Sequence, residues 1–111
     1  LDESKIKYFQ GELSIASESS VINVFPDCIH YYSEDRNRKI ISYHKYDGVG
    51  VIKWYYLGVF HREDGPASIY ANGYIAWYLN GIRFDSKESW FEALTEEQKE
   101  KALYSKSFLE G

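Results

Sequence analysis

The chain is expected to fold as mainly β with C-terminal α. The expected form is a twisted antiparallel β-meander of units of about 23 residues, capped by one or two short helices. Three observations predict it. The pattern Ile, any residue, aromatic, aromatic recurs at equal steps: Ile75-Ala76-Trp77-Tyr78, Ile52-Lys53-Trp54-Tyr55, Ile29-His30-Tyr31-Tyr32 and Ile6-Lys7-Tyr8-Phe9. Turn residues punctuate the chain between copies. After Phe84 those signals stop, and Glu, Lys, Ala and Leu take over.

Each element has a local cause. β-Branched and aromatic residues fit a pleated, half-buried surface. Asn72-Gly73, Asn80-Gly81, Leu57-Gly58 and Asp47-Gly48 carry residues suited to tight turns, where φ is often positive. Strands are therefore expected near Lys5–Gln10, Val21–Phe25, Ile29–Tyr32, Lys39–His44, Val51–Tyr56, Ala67–Ala71, Tyr74–Leu79 and Ile82–Phe84. Gly50 is expected to mark a bulge. Asp85 or Ser86 can cap a first helix, with Trp90, Phe91 and Leu94 on one side. Thr95 and Gln98 fit a capping box for a second, carrying Ala102, Leu103, Phe108 and Leu109. The expected division is a β-meander over 1–84 and a helical cap over 85–111, in one compact domain.

Alternation along a strand assigns faces. Ile52, Trp54 and Tyr56 share one face, as do Ile75, Trp77 and Leu79, and these are read as core. The opposite face carries Phe9, Tyr32, Tyr55 and Tyr78, interleaved with Lys7, His30 and Lys53. Two roles fit that second column. It can be a binding face, since tyrosine offers a large rigid contact with a polar tip. It can equally be a second core layer beneath the helices.

Composition bounds the function. Aromatic residues make up 18%, eleven of them Tyr, against two prolines, which argues for a packed domain rather than disorder. Net charge is −4, so duplex nucleic acid is disfavoured as a partner. The single cysteine, Cys28, allows no disulfide within the chain and no cysteine zinc knuckle. No apolar run approaches a membrane span, and the opening LDESKIKYFQG lacks a signal-peptide core. A cytoplasmic setting is expected, with no cofactor and no metal.

Three groupings carry chemistry-bearing residues. His61-Arg62-Glu63-Asp64 holds the groups of acid–base work or metal ligation. The expected role is structural: Arg62 pairs with a carboxylate, and Asp64 closes the turn before Gly65-Pro66. Asp27, Cys28 and His30 hold a thiol near a base, but no glycine-rich loop or helix start accompanies them, so Cys28 is read as a small apolar group. His44, Lys45 and Asp47 are read as a solvated strand end. No catalytic residue is assigned.

The stretch His61 to Ala67, followed by Asn72-Gly73 and Trp77-Tyr78-Leu79-Asn80-Gly81, resembles a MORN-like repeat of small phage and giant-virus proteins. The resemblance covers roughly the last half of the chain. It implies a β-sheet fold, a phage or phage-derived origin, and roles in binding and assembly rather than a reaction. The expectation is a non-catalytic binding protein that inhibits a host enzyme or defence factor in the host cytoplasm. Its binding residues would be Tyr32, Tyr55, Tyr78, Phe9, Lys53 and His30, with Glu34, Asp35, Arg36 and Arg38 in the loop of residues 33–39. An oligomeric sponge for a nucleotide-type ligand and a structural, virion-associated role remain open alternatives.

Overall fold

A computed structural model describes residues 3–18, 21–25, 28–32, 37–43 and 50–111, with side chains described at 3–14 and 50–111. The elements run α1 (Glu3–Glu18), β1 (Val21–Phe25), β2 (Cys28–Tyr32), β3 (Asn37–Tyr43), β4 (Gly50–Tyr56), β5 (Val59–Phe60), β6 (Ser68–Tyr70), β7 (Ile75–Leu79), β8 (Ile82–Phe84), α2 (Lys87–Glu92), α3 (Glu96–Leu103) and α4 (Lys106–Glu110). Every strand pairing is antiparallel, in the order β1-β2-β3-β4-β6-β7-β8, with β5 paired to the end of β4. The protein is mainly β with C-terminal α.

Register explains why isoleucine recurs. Val24, Ile29, Ile41, Ile52, Ile69 and Ile75 pair in sequence across six strands. The row thus places a β-branched residue at each step, the type that packs best on a pleated sheet. Ile29, Ile52 and Ile75 do fall in one row, but an intervening strand separates each from the next.

Two hairpins match in detail. Tyr55↔Phe60 and Tyr56↔Val59 flank Leu57-Gly58; Tyr78↔Arg83 and Leu79↔Ile82 flank Asn80-Gly81. Their turn residues have φ of 52° and 85° in the first, 52° and 83° in the second. Positive φ at both central positions marks the turn whose twist matches paired strands. Asn72-Gly73 differs: only Gly73 has positive φ, and its N–H donates to Tyr70 O at 2.9 Å. The loop is therefore longer than a two-residue turn.

The first expected strand is wrong. Residues 5–10 lie inside α1, where Ile6, Phe9 and Leu13 recur at helical spacing and Glu3 pairs with Lys7 one turn on at 3.5 Å. Phe9 is 7% exposed and joins Ile52, Trp54, Ala67 and Ile69 in one core cluster. Gly50 is not a bulge either. It pairs in register with Tyr43, and a Cβ there would lie 2.6 Å from the Phe9 ring.

The helical end follows its caps. The Ser86 side chain accepts from Ser89 N–H and the Thr95 side chain from Gln98 N–H. The expected second helix is broken at Tyr104–Ser105 into α3 and α4. Leu103 and Leu109 are exposed, while Ala102 and Phe108 join Trp90, Leu94, Trp77 and Leu79 in a second core cluster. α1 and the C-terminal helices thus both pack on the sheet face that carries Ile52, Trp54, Trp77 and Leu79. No helix of the described residues is long and apolar enough to cross a membrane.

Candidate functional site

The other sheet face carries an aromatic stack. Tyr55 lies on Phe60 with ring centroids 4.8 Å apart, and Phe60 lies on Tyr78 at the same spacing. Interplanar angles of 25° and 29° make both contacts stacked. The geometry follows from the matched hairpins. Phe60 sits opposite Tyr55 in one, and Gly81 N–H of the other donates to Phe60 O at 2.8 Å. Burial raises the Tyr55 hydroxyl above its ordinary pKa. All three rings keep partial exposure, and Tyr78 also packs against the Phe9 cluster. On the same face Val51, Ser68 and Ala76 are buried.

The same face continues past the stack. Arg83, paired with Tyr78, donates to the Tyr74 hydroxyl at 2.5 Å, and Tyr74 meets Tyr70 edge-on at 5.3 Å. By register Arg38 lies between Tyr32 and Tyr55, and His30 shares a row with Lys53. The charge distribution is one-sided. None of the seventeen acidic residues falls within the eight strands, whereas Arg38, Lys39, Lys53 and Arg83 do. In a chain of net charge −4, the charged residues of the described strands are all basic.

The expected binding residues therefore divide. Tyr55, Tyr78 and Lys53 share the face, and Tyr32, His30 and Arg38 take register positions on it. Phe9 and Lys7 do not. Phe9 is core on the opposite side, and Lys7 is an exposed helix residue paired with Glu3. Glu34, Asp35 and Arg36, with His44, Lys45 and Asp47, lie outside the described residues. Phe60, the ring that bridges the two tyrosines, was missed, because a two-residue strand shows no alternation to read.

The charged turn is an internal clasp. Arg62 is 4% exposed. Its Nε donates to Asp64 Oδ1 at 2.7 Å, its Nη1 lies 3.1 Å from Glu12 Oε2 and donates to Pro66 O, and its guanidinium carbon stands 3.8 Å over the Trp54 ring. Burial alone would lower its pKa, but Asp64 and then Glu12 outweigh it and hold the guanidinium above its ordinary value. Trp90 Nε1 donates to Arg62 O, and the Ser107 hydroxyl donates to Glu12 Oε1. α1, the sheet, α2 and α4 thus meet at one cation.

His61 is equally committed. Its Nδ1 accepts from Asn80 N–H at 2.9 Å, so the proton sits on Nε2, which donates to Glu63 Oε2 at 2.7 Å. It ties the connection after one hairpin to the turn of the next. Among the described residues, no group of three or more His, Cys, Asp or Glu is placed to hold a metal ion. No family model matches the chain, and neither the curated proteins nor the solved structures gave a match.

Proposed function

We propose that the chain is a non-catalytic binding protein that docks onto another protein through the Tyr55–Phe60–Tyr78 face. The observation that carries this reading is the position of the stack on the sheet face opposite the packed helices. Partly exposed tyrosines beside Lys53 and Arg83 offer rigid apolar contact with a cationic rim, the composition of an interface centre. A non-catalytic role is supported by His61 and Arg62, whose polar atoms are already bonded within the fold. The matched hairpins support the repeat reading, with β4–β5 and β7–β8 as equivalent parts of two units. On the MORN-like resemblance, the partner is a host enzyme or defence factor and the chain is phage-encoded.

The test is site-specific photo-crosslinking in bacterial lysate. A photoreactive phenylalanine analogue replaces Tyr55, or Tyr104 as control; Tyr104 is 85% exposed and lies at the far, helical end. One dominant protein joined at position 55 and absent at 104 is the expected result. Its affinity for the purified chain should fall about tenfold or more in Tyr55→Ala/Tyr78→Ala. Equal labelling at both positions, or unchanged affinity in the double variant, overturns the reading.

A further inference from the structure

On the helix-covered side, α1, the β6–β7 turn and α4 enclose a half-open cleft of about 770 Å³. That volume suits one small organic ligand. Ile69, Ile75 and the Tyr8 ring supply an apolar lining, and Lys5, Lys106 and Glu110 supply charge. The charges are of two kinds. Glu12 also lines the cleft, but Arg62 and Ser107 already hold its carboxylate. Lys7 pairs with Glu3. Lys5, Lys106 and Glu110 make no ion pair among the described residues.

A ligand matched to this lining needs three parts: an anionic group for two amines, a flat apolar body, and a hydroxyl that can donate to a carboxylate. We propose that the cleft binds a small organic phosphate of the nucleotide kind. Its phosphate meets Lys5 and Lys106, since ammonium groups take phosphate as compact point charges. Its base lies along Ile69 and Tyr8, and a sugar hydroxyl donates to Glu110. Lys5 is placed for this by Gly73: its stem crosses the turn where any Cβ would stand. The site shares Tyr70 with the margin of the aromatic face but contains none of the stacked rings Tyr55, Phe60 and Tyr78, and it does not depend on protein docking there.

Gly11 gives a clean probe. It lines the cleft, and a Cβ built on it meets nothing within 4 Å. Gly11→Phe therefore adds a bulky side chain at the cleft wall with no clash at its Cβ, and leaving glycine does not weaken a helix. Isothermal titration calorimetry with AMP, adenosine and inorganic phosphate is the test. AMP should bind one to one, with adenosine and phosphate each about tenfold weaker or more. Gly11→Phe should abolish AMP binding at an unchanged thermal midpoint, and Lys106→Glu should weaken it about tenfold. If Gly11→Phe fails to fold, Lys106→Glu decides alone, because that side chain is exposed. No heat with AMP at millimolar concentration, AMP no tighter than adenosine, or full affinity in Lys106→Glu overturns the proposal.

Discussion

Arg62 and Glu12 form an ion pair in which each side chain is 3% exposed, although fifty positions separate them along the chain. Glu12 Oε2 sits 3.1 Å from Nη1 but outside hydrogen-bond alignment, so charge rather than a directed bond holds that oxygen. Two opposite ions buried together tolerate joint removal far better than the loss of one. Glu12→Ala should cost about 3–5 kcal/mol, because it strands part of a buried cation. The double variant Glu12→Leu/Arg62→Met should recover a large part of that loss. Urea denaturation of the four chains measures the coupling; a double variant as unstable as the sum of the single ones would contradict it.

Leu57 occupies a position with φ of 52° that its hairpin counterpart fills with Asn80. A leucine side chain crowds its own backbone there, whereas Asn and Gly tolerate the conformation. Leu57 is 72% exposed, so little packing is lost by replacing it. Leu57→Asn should raise stability by about 0.5–1 kcal/mol, with Asn80→Leu lowering it by a similar amount. A thermal midpoint that falls in Leu57→Asn would refute the strain argument.

Tyr8 predicts an alkaline limit to stability. Burial first, then the nearby Glu12 charge, raise its hydroxyl well above the ordinary phenol range, and the hydroxyl donates to Ser107 O at 3.1 Å. An acid whose pKa is higher folded than unfolded stabilises the fold below its unfolded pKa. Above about pH 10 the unfolded chain releases that proton and the folded chain does not, so stability falls as pH rises. Tyr8→Phe should be less stable at neutral pH by about 1 kcal/mol, the worth of the lost hydrogen bond. It should also lose stability less steeply above pH 10. Parallel curves for the two chains would remove Tyr8 as the cause.

Most of the sheet was legible because its signals are local. Ile-x-Trp-Tyr alternates within one strand, and Asn80-Gly81 names its own turn. The α1 segment failed for the opposite reason. Ile6-Lys7-Tyr8-Phe9 copies the strand pattern over four residues, but the stripe Ile6, Phe9, Leu13 and the Glu3–Lys7 step extend over three turns. The longer period wins, since a helix satisfies its own backbone while an added strand needs an edge to join. Burial of Glu12 had no local sign at all, because its partner lies across the fold. The acid-free strands were countable in advance, but only the pairing showed which basic residue shares a row with Tyr55.

Trp77 and Tyr78 are neighbours in β7 with opposite duties, and substitution should separate them. Trp77 is 5% exposed, packs against Trp90 at 4.7 Å, and meets Phe108 edge-on at 6.4 Å. Trp77→Ala opens a cavity where the sheet meets the helices and should cost about 3–5 kcal/mol. Tyr78→Ser loses one stacking contact, worth about 0.5–1.5 kcal/mol, plus a half-buried ring. It should remain folded yet bind the crosslinked partner about tenfold more weakly. Chemical denaturation and titration on the same two variants decide it. If Tyr78→Ser unfolds as readily as Trp77→Ala, the stack is a second core layer and the docking surface lies elsewhere.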